Sequence, residues 1–182
     1  MVMSIDPGFR KNAIAIVDNK KVLYGDLVIN NDDKFGDLKN RILELIDRFS
    51  PEVITYEKYS KYYNKKSAKN KKKDKEFYIQ YANNFNKYLL PFFNYLNKEK
   101  NVEVYYTIAS TRNILENIPG WRQRFTGLTF PNEKDVLNEL KNLIKSGELE
   151  VPEAFLLNNL DIVDAIGIAV TSNKYPEVFF EN

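Results

Sequence analysis

The chain has 182 residues, 43% of them hydrophobic, with 12 Tyr and 12 Phe, a size and composition suited to one core rather than two domains. It contains neither Cys nor His, which excludes disulfides, thiolate zinc sites, cysteine nucleophiles, imidazole bases and Ser–His triads. Net charge is +2, but residues 58–75 carry nine lysines against the single acid Asp74, a +8 island on a −6 remainder, the pattern of a polyanion contact.

Residues 1–6, 12–17 and 22–29 read as three short strands joined by a Pro-Gly turn and an Asn-Lys-Lys turn. Residues 33–49 have helical periodicity, with Phe35, Leu38, Ile42, Leu45, Ile46 and Phe49 on one face. Pro51 ends that helix, and 53–57 form a fourth strand. The lysine-rich stretch reads as a loop at about 58–75. An aromatic helix over 76–96 follows, kinked near Pro91. Residues 102–108 alternate as a strand, 132–146 form a helix capped by Asn132, and 158–171 form the last helix. Pro119-Gly120-Trp121 interrupts 109–131, which shows no clear period. The order predicts an α/β layer: a three-strand antiparallel meander extended by two parallel strands, five in all, flanked by helices. No run of about 18 apolar residues occurs, so no membrane span is expected. The chain opens on a strand without a basic-then-apolar leader, and a cytoplasmic protein is the expectation.

Four acids stand where a core should be apolar. Asp6 ends the first strand, Glu57 ends the fourth, and Asp161 and Asp164 lie three apart in the final helix. That helix is apolar nearly all round, and no Lys or Arg lies between Leu156 and Asn173 to pair with either aspartate. Each such acid costs roughly several kcal/mol unless neutralised. A divalent cation is the natural neutraliser, and an all-oxygen donor set favours magnesium or manganese. If the fourth strand pairs beside the first, Asp6 and Glu57 emerge together at one sheet edge.

Ser-Ile-Asp6-Pro-Gly, Pro-Glu-Val-Ile-Thr-Tyr-Glu57 and Asp161-Ile-Val-Asp164-Ala-Ile-Gly-Ile-Ala, in that order, resemble the RuvC-type Holliday junction resolvases of the ribonuclease H-like superfamily. The resemblance implies a ribonuclease H-like fold and a metal-dependent endodeoxyribonuclease that resolves four-way DNA junctions. It implies that Asp6, Glu57, Asp161 and Asp164 are the catalytic acids and hold two Mg2+ or Mn2+ ions per active site. It puts Lys134, in Asn-Glu-Lys-Asp-Val, near the DNA backbone, and Tyr59 near the junction centre. Arg112 is the nearest counterpart of the family's basic residue after its fifth strand.

Lys65, Lys66, Lys69, Lys71, Lys72 and Lys73 form the basic loop. Interleaved with tyrosines, they suit phosphates and unpaired bases. Trp121, among Arg112, Arg122 and Arg124, fits either a second nucleic-acid contact or a loop anchored by one buried ring. Paired cutting implies a homodimer. Phe77, Tyr81 and Phe85 of the aromatic helix are its expected surface. Two other readings share these features: a related nuclease acting on RNA–DNA hybrids, flaps or ribosomal RNA precursors, and a branched-DNA binding module without catalysis.

Overall fold

In the computed structural model, which describes residues 1–58, 72–109, 119–152 and 159–181, one mixed sheet carries the molecule. Of residues 72–75, 77 and 78 only the backbone is described. Strands β1 (Val2–Pro7), β2 (Lys11–Asp18) and β3 (Lys21–Ile29) form the antiparallel meander. Strand β4 (Val53–Glu57) pairs parallel with β1, and β5 (Glu103–Thr107) parallel with β4. A sixth strand, β6 (Phe180–Glu181), adds antiparallel to β5, giving the order β3-β2-β1-β4-β5-β6. The expected five strands thus become six. Two residues are too few to show alternation in a sequence.

Helix α1 (Gly36–Phe49) starts three residues later than its periodicity suggests. Asp32 Oδ1 takes the N–H groups of Lys34 and Gly36, and Phe35 adopts a left-handed φ of 58°. The chain therefore turns before the helix can begin. Asn30 Oδ1 then accepts the Leu38 N–H, which would otherwise lack a partner in the first turn.

The aromatic helix is longer than expected and in three parts. Helix α2 (Lys72–Asn84) begins inside the lysine-rich stretch, a π turn spans Phe85–Leu89, and α3 (Leu90–Glu99) follows. Pro91 explains the π turn. It has no N–H for the Lys87 carbonyl, so the coil widens and the Leu90 N–H reaches Phe85 O.

Alternation on the strands sorts the core into two layers. Met3, Ile5, Ile14, Ile16, Ile54 and Tyr56 face α1 and the aromatic helix. On the opposite face lie Val2, Ala13, Ala15 and Val17, with α4 (Trp121–Thr126), α5 (Glu133–Lys145) and α6 (Leu160–Lys174). The small Ala13 and Ala15 let α6 lie close to the sheet through its own Ala165 and Ala169.

Tyr81 and Phe85 are not surface residues. They are 4% and 2% exposed and pack with Phe35, Tyr56 and Phe93. The Tyr81 hydroxyl donates to Pro7 O, which ties α2 to the end of β1. Of the expected subunit surface, Tyr81 and Phe85 thus fill the core instead. Ile79 and Tyr95 are the large apolar side chains of this stretch that stay exposed, while the Phe77 side chain lies outside the described residues. Among the described residues no helix is long and apolar enough to cross a membrane.

Candidate active site

The site grows from strand register. Ile5 pairs with Tyr56 in the parallel β1–β4 ladder, so Asp6 and Glu57 are the next residues along neighbouring strands. Val2 and Ser4, which alternate with Met3 and Ile5, lie on the α6 side, and by the same period Asp6 and Glu57 face α6 and α4. Ser4 Oγ donates to Ala165 O at 2.6 Å, pinning α6 against β1 one residue from Asp164.

Gly8 explains the Pro-Gly after Asp6. A Cβ there would lie 2.2 Å from Lys11 O, so the β1–β2 turn excludes any side chain. The turn does not explain Asp6 itself. Among the described residues no hydrogen bond or ion pair reaches its carboxylate, as a turn-stabilising aspartate would require.

Asp164 is 2% exposed and Asp161, one turn earlier, is exposed. Asn159 Oδ1 accepts the Asp161 and Ile162 N–H groups, fixing where α6 begins and hence how far Asp161 stands above Asp164. Burial, reinforced by the charges of Glu57, Asp164 and Asp161 and opposed by Arg122, raises the Asp6 carboxyl well above the ordinary range. Burial also raises Glu57, against Arg122 and the Trp121 N–H, with Glu133 adding to the rise. Asp164 is pushed up to about 7, again by burial first; the guanidinium of Arg122 opposes this, and Glu57 and Glu133 reinforce it.

Sequence reasoning missed what closes the site. Helix α4 begins where the Trp121 N–H bonds to Ile108 O, just past β5. Its first two residues each hold one acid. Trp121 Nε1 donates to Glu57 Oε2 at 2.8 Å, and Arg122 Nη2 donates to Asp164 Oδ2 in an ion pair. Trp121 is fully buried, its ring over Gly167 and against Val136. A Cβ on Gly167 would lie 2.8 Å from Trp121 Cζ3, so that glycine makes room for the indole. Trp121 is thus the buried anchor of its segment and is not free to stack on a base. Arg124 is also engaged, with Glu177 and over the Tyr175 ring. The absence of a local cation near Asp164 was legible; Arg122, 42 residues away, was not.

Lys134 is exposed in the first turn of α5, next to Glu133, its N–H held by Asn132 Oδ1. Tyr59, Lys65, Lys66, Lys69, Lys71 and Arg112 lie outside the described residues, as do the side chains of Lys72 and Lys73.

The donor set is oxygen only, as hard divalent cations prefer. Among the described residues no three acids are gathered closely enough to hold an ion as they stand. Asp164 is engaged by Arg122 and Glu57 by Trp121. A cation nevertheless fits the chemistry of the site. Among the described residues Asp164 Oδ1 is buried without a hydrogen-bond partner, and the acids raise one another's affinity for positive charge.

No protein-family model and no curated protein matches the sequence. Solved structures do match the fold. Thermus thermophilus RuvC in complex with a Holliday junction substrate is 20% identical, with a TM-score of 0.66, covering 100% of this chain and 98% of that one. A second Thermus thermophilus RuvC structure, also 20% identical, matches at 0.62, covering 100% and 99%. The yeast mitochondrial Holliday junction resolvase is 14% identical, with a TM-score of 0.57, covering 97% and 81%. The expected ribonuclease H-like fold is therefore the fold observed, and it is shared with RuvC over the whole chain.

Proposed function

We propose that this protein is a metal-dependent, structure-specific endodeoxyribonuclease that resolves four-way DNA junctions as a homodimer. One observation carries the reading: Asp6 and Glu57 at neighbouring strand ends and Asp164 on the helix packed over them are buried or half-buried in a RuvC-like fold, near enough, with exposed Asp161, for their charges to act on Asp6. Asp6, Glu57, Asp161 and Asp164 would hold two Mg2+ or Mn2+ ions. Bound there, the ions would polarise the scissile phosphate and lower the pKa of water, supplying the base a histidine-free chain lacks.

The chain's own residues do the positioning. Asp6 and Glu57 sit at the ends of hydrogen-bonded strands, which fixes their separation through the sheet. The Ser4 hydroxyl sets the depth of α6 and so of Asp164. Burial excludes water and strengthens every charge interaction within the cluster. Lys134, exposed at the start of α5, is suited to meet a phosphate beside the cut.

A four-way junction, a flap and an RNA–DNA hybrid, each incubated with protein and Mg2+, test the reading. Two symmetrically related nicks across the junction are expected, from a dimer seen by light scattering. Preferential single cuts in the flap or hybrid, by a monomer, would replace the resolvase with a different nuclease of the same fold. Binding without any cut would leave a branched-DNA binding module.

The lysine-rich stretch gives a separate prediction. Replacing Lys69, Lys71, Lys72 and Lys73 with Ala should lower the slope of log affinity against log salt by about three to four, at ~0.9 per lost phosphate contact. Fluorescence anisotropy across a salt series measures it, and an unchanged slope would show that these lysines touch no phosphate.

A further inference from the structure

Helix α4 is only six residues long, and its first two side chains are spent on the acidic site rather than on solvent or DNA. Arg122 is the one cation among Asp6, Glu57 and Asp164 in the described residues, and all three acids favour its charged form although burial opposes it. Its side chain is 19% exposed. The pair it forms is incomplete on both sides: Arg122 Nε and Asp164 Oδ1 are buried and without partners among the described residues. A guanidinium committed to a permanent structural pair usually uses its fork on both carboxylate oxygens. Here one carboxylate contact and the Trp121 ring, 5.4 Å from Arg122 Cζ, hold the charge, while Arg122 Nε and Asp164 Oδ1 stay unsatisfied among the described residues.

We infer that Arg122 is the resident counter-ion of Asp164, displaced from that carboxylate when a divalent cation binds the acids. The inference rests on the cation-binding reading above. A divalent ion on Asp164 Oδ1 and a guanidinium on Oδ2 repel strongly across one buried carboxylate, so binding of the ion weakens the hold on Arg122. The exchange is feasible because Arg122 leaves an incomplete hydrogen-bond set, and because the cation takes over neutralisation of Asp6, Glu57 and Asp164. Trp121, immovable under Gly167, keeps α4 docked while the neighbouring side chain swings.

Calorimetric titration of the intact protein with Mn2+, and arginine side-chain 15N spectra during titration with Mg2+, test it without DNA. Arg122→Gln should tighten cation binding by about tenfold or more, since the competitor is gone. Arg124→Gln, on the same helix but paired with Glu177, should change it by less than about twofold, because that charge is surface-exposed. In wild-type protein the Arg122 Nε signal should move to a solvent-like position as Mg2+ saturates the site. That spectrum needs no substitution, so a poorly folding variant does not remove the test. Cation binding with equal affinity in wild type and Arg122→Gln, and an unmoved Arg122 signal, would overturn the displacement while keeping the metal site. No binding to any variant would remove the metal site itself.

Discussion

Asp6→Asn should leave a four-way junction bound but uncut, with cleavage falling by about 10³-fold or more, equivalent to roughly 4 kcal/mol of transition-state stabilisation. The substitution is close to isosteric and leaves no partner stranded, because no hydrogen bond or ion pair reaches the Asp6 carboxylate among the described residues. Product formation in Mg2+ and junction binding in Ca2+ separate the two effects. Cleavage within a few-fold of wild type would sink the assignment of Asp6 as a metal ligand.

The same variant should be more stable than wild type in chelator. The carboxyls of Asp6, Glu57 and Asp164 are all raised in the folded protein, Asp164 to about 7. At these three carboxyls the folded state therefore binds more protons than the unfolded one between about pH 4 and 7. The stability these three groups contribute is fully present below the unfolded carboxyl range and is lost as pH rises through the folded values, against the opposite contribution of Asp26, Asp32 and Glu148, whose carboxyls are lowered. Wild-type melting temperature in chelator should fall between pH 5 and 8, and Asp6→Asn should flatten that fall. Asp164→Asn differs despite the same charge change. It strands Arg122 in a largely buried position, and breaking one side of such a pair costs about 3–5 kcal/mol, which offsets the relief of repulsion.

The parts of this architecture legible in the sequence are those whose cause is local or periodic. The meander follows from short apolar runs between turn residues, and α5 from Asn132 and its apolar spacing. Asp6 and Glu57 could be brought together because parallel pairing of two strands is a simple inference from a helical crossover. Features set by distant partners were hidden. The Arg122–Asp164 pair and the Trp121–Glu57 bond join residues 42 and 64 apart, and nothing in either segment specifies the other. Gly167 was readable as a small residue in an apolar helix, but the ring it accommodates comes from another helix. Aromatic excess misled in the opposite direction. Tyr81 and Phe85 suggested a subunit surface because the helix carries more aromatics than one core face needs, yet Phe35 and Tyr56, from two distant parts of the chain, pack around them together with Phe93.

Trp121 carries the second large effect. Trp121→Ala should destabilise the protein by about 3–5 kcal/mol, the usual cost of removing a fully buried aromatic ring. For a chain of this length that lowers the melting temperature by roughly 6–20 °C. The cavity would open between Gly167 and Val136, and α4 would lose its anchor to α6 and α5. Trp121→Phe isolates the polar part. It keeps most of the ring but removes the N–H on Glu57 Oε2, at a cost of about 1–3 kcal/mol for an acceptor left without its donor. Because that N–H favours ionised Glu57, its loss should raise the Glu57 carboxyl further. A divalent cation on Glu57 would restore a partner for the oxygen. The deficit of Trp121→Phe relative to wild type should therefore shrink in Mg2+, while that of Trp121→Ala, which is mostly lost packing, should persist. Scanning calorimetry with chelator and with Mg2+ reads both. A Trp121→Ala protein melting within about 2 °C of wild type would mean that the ring does not hold α4 in place.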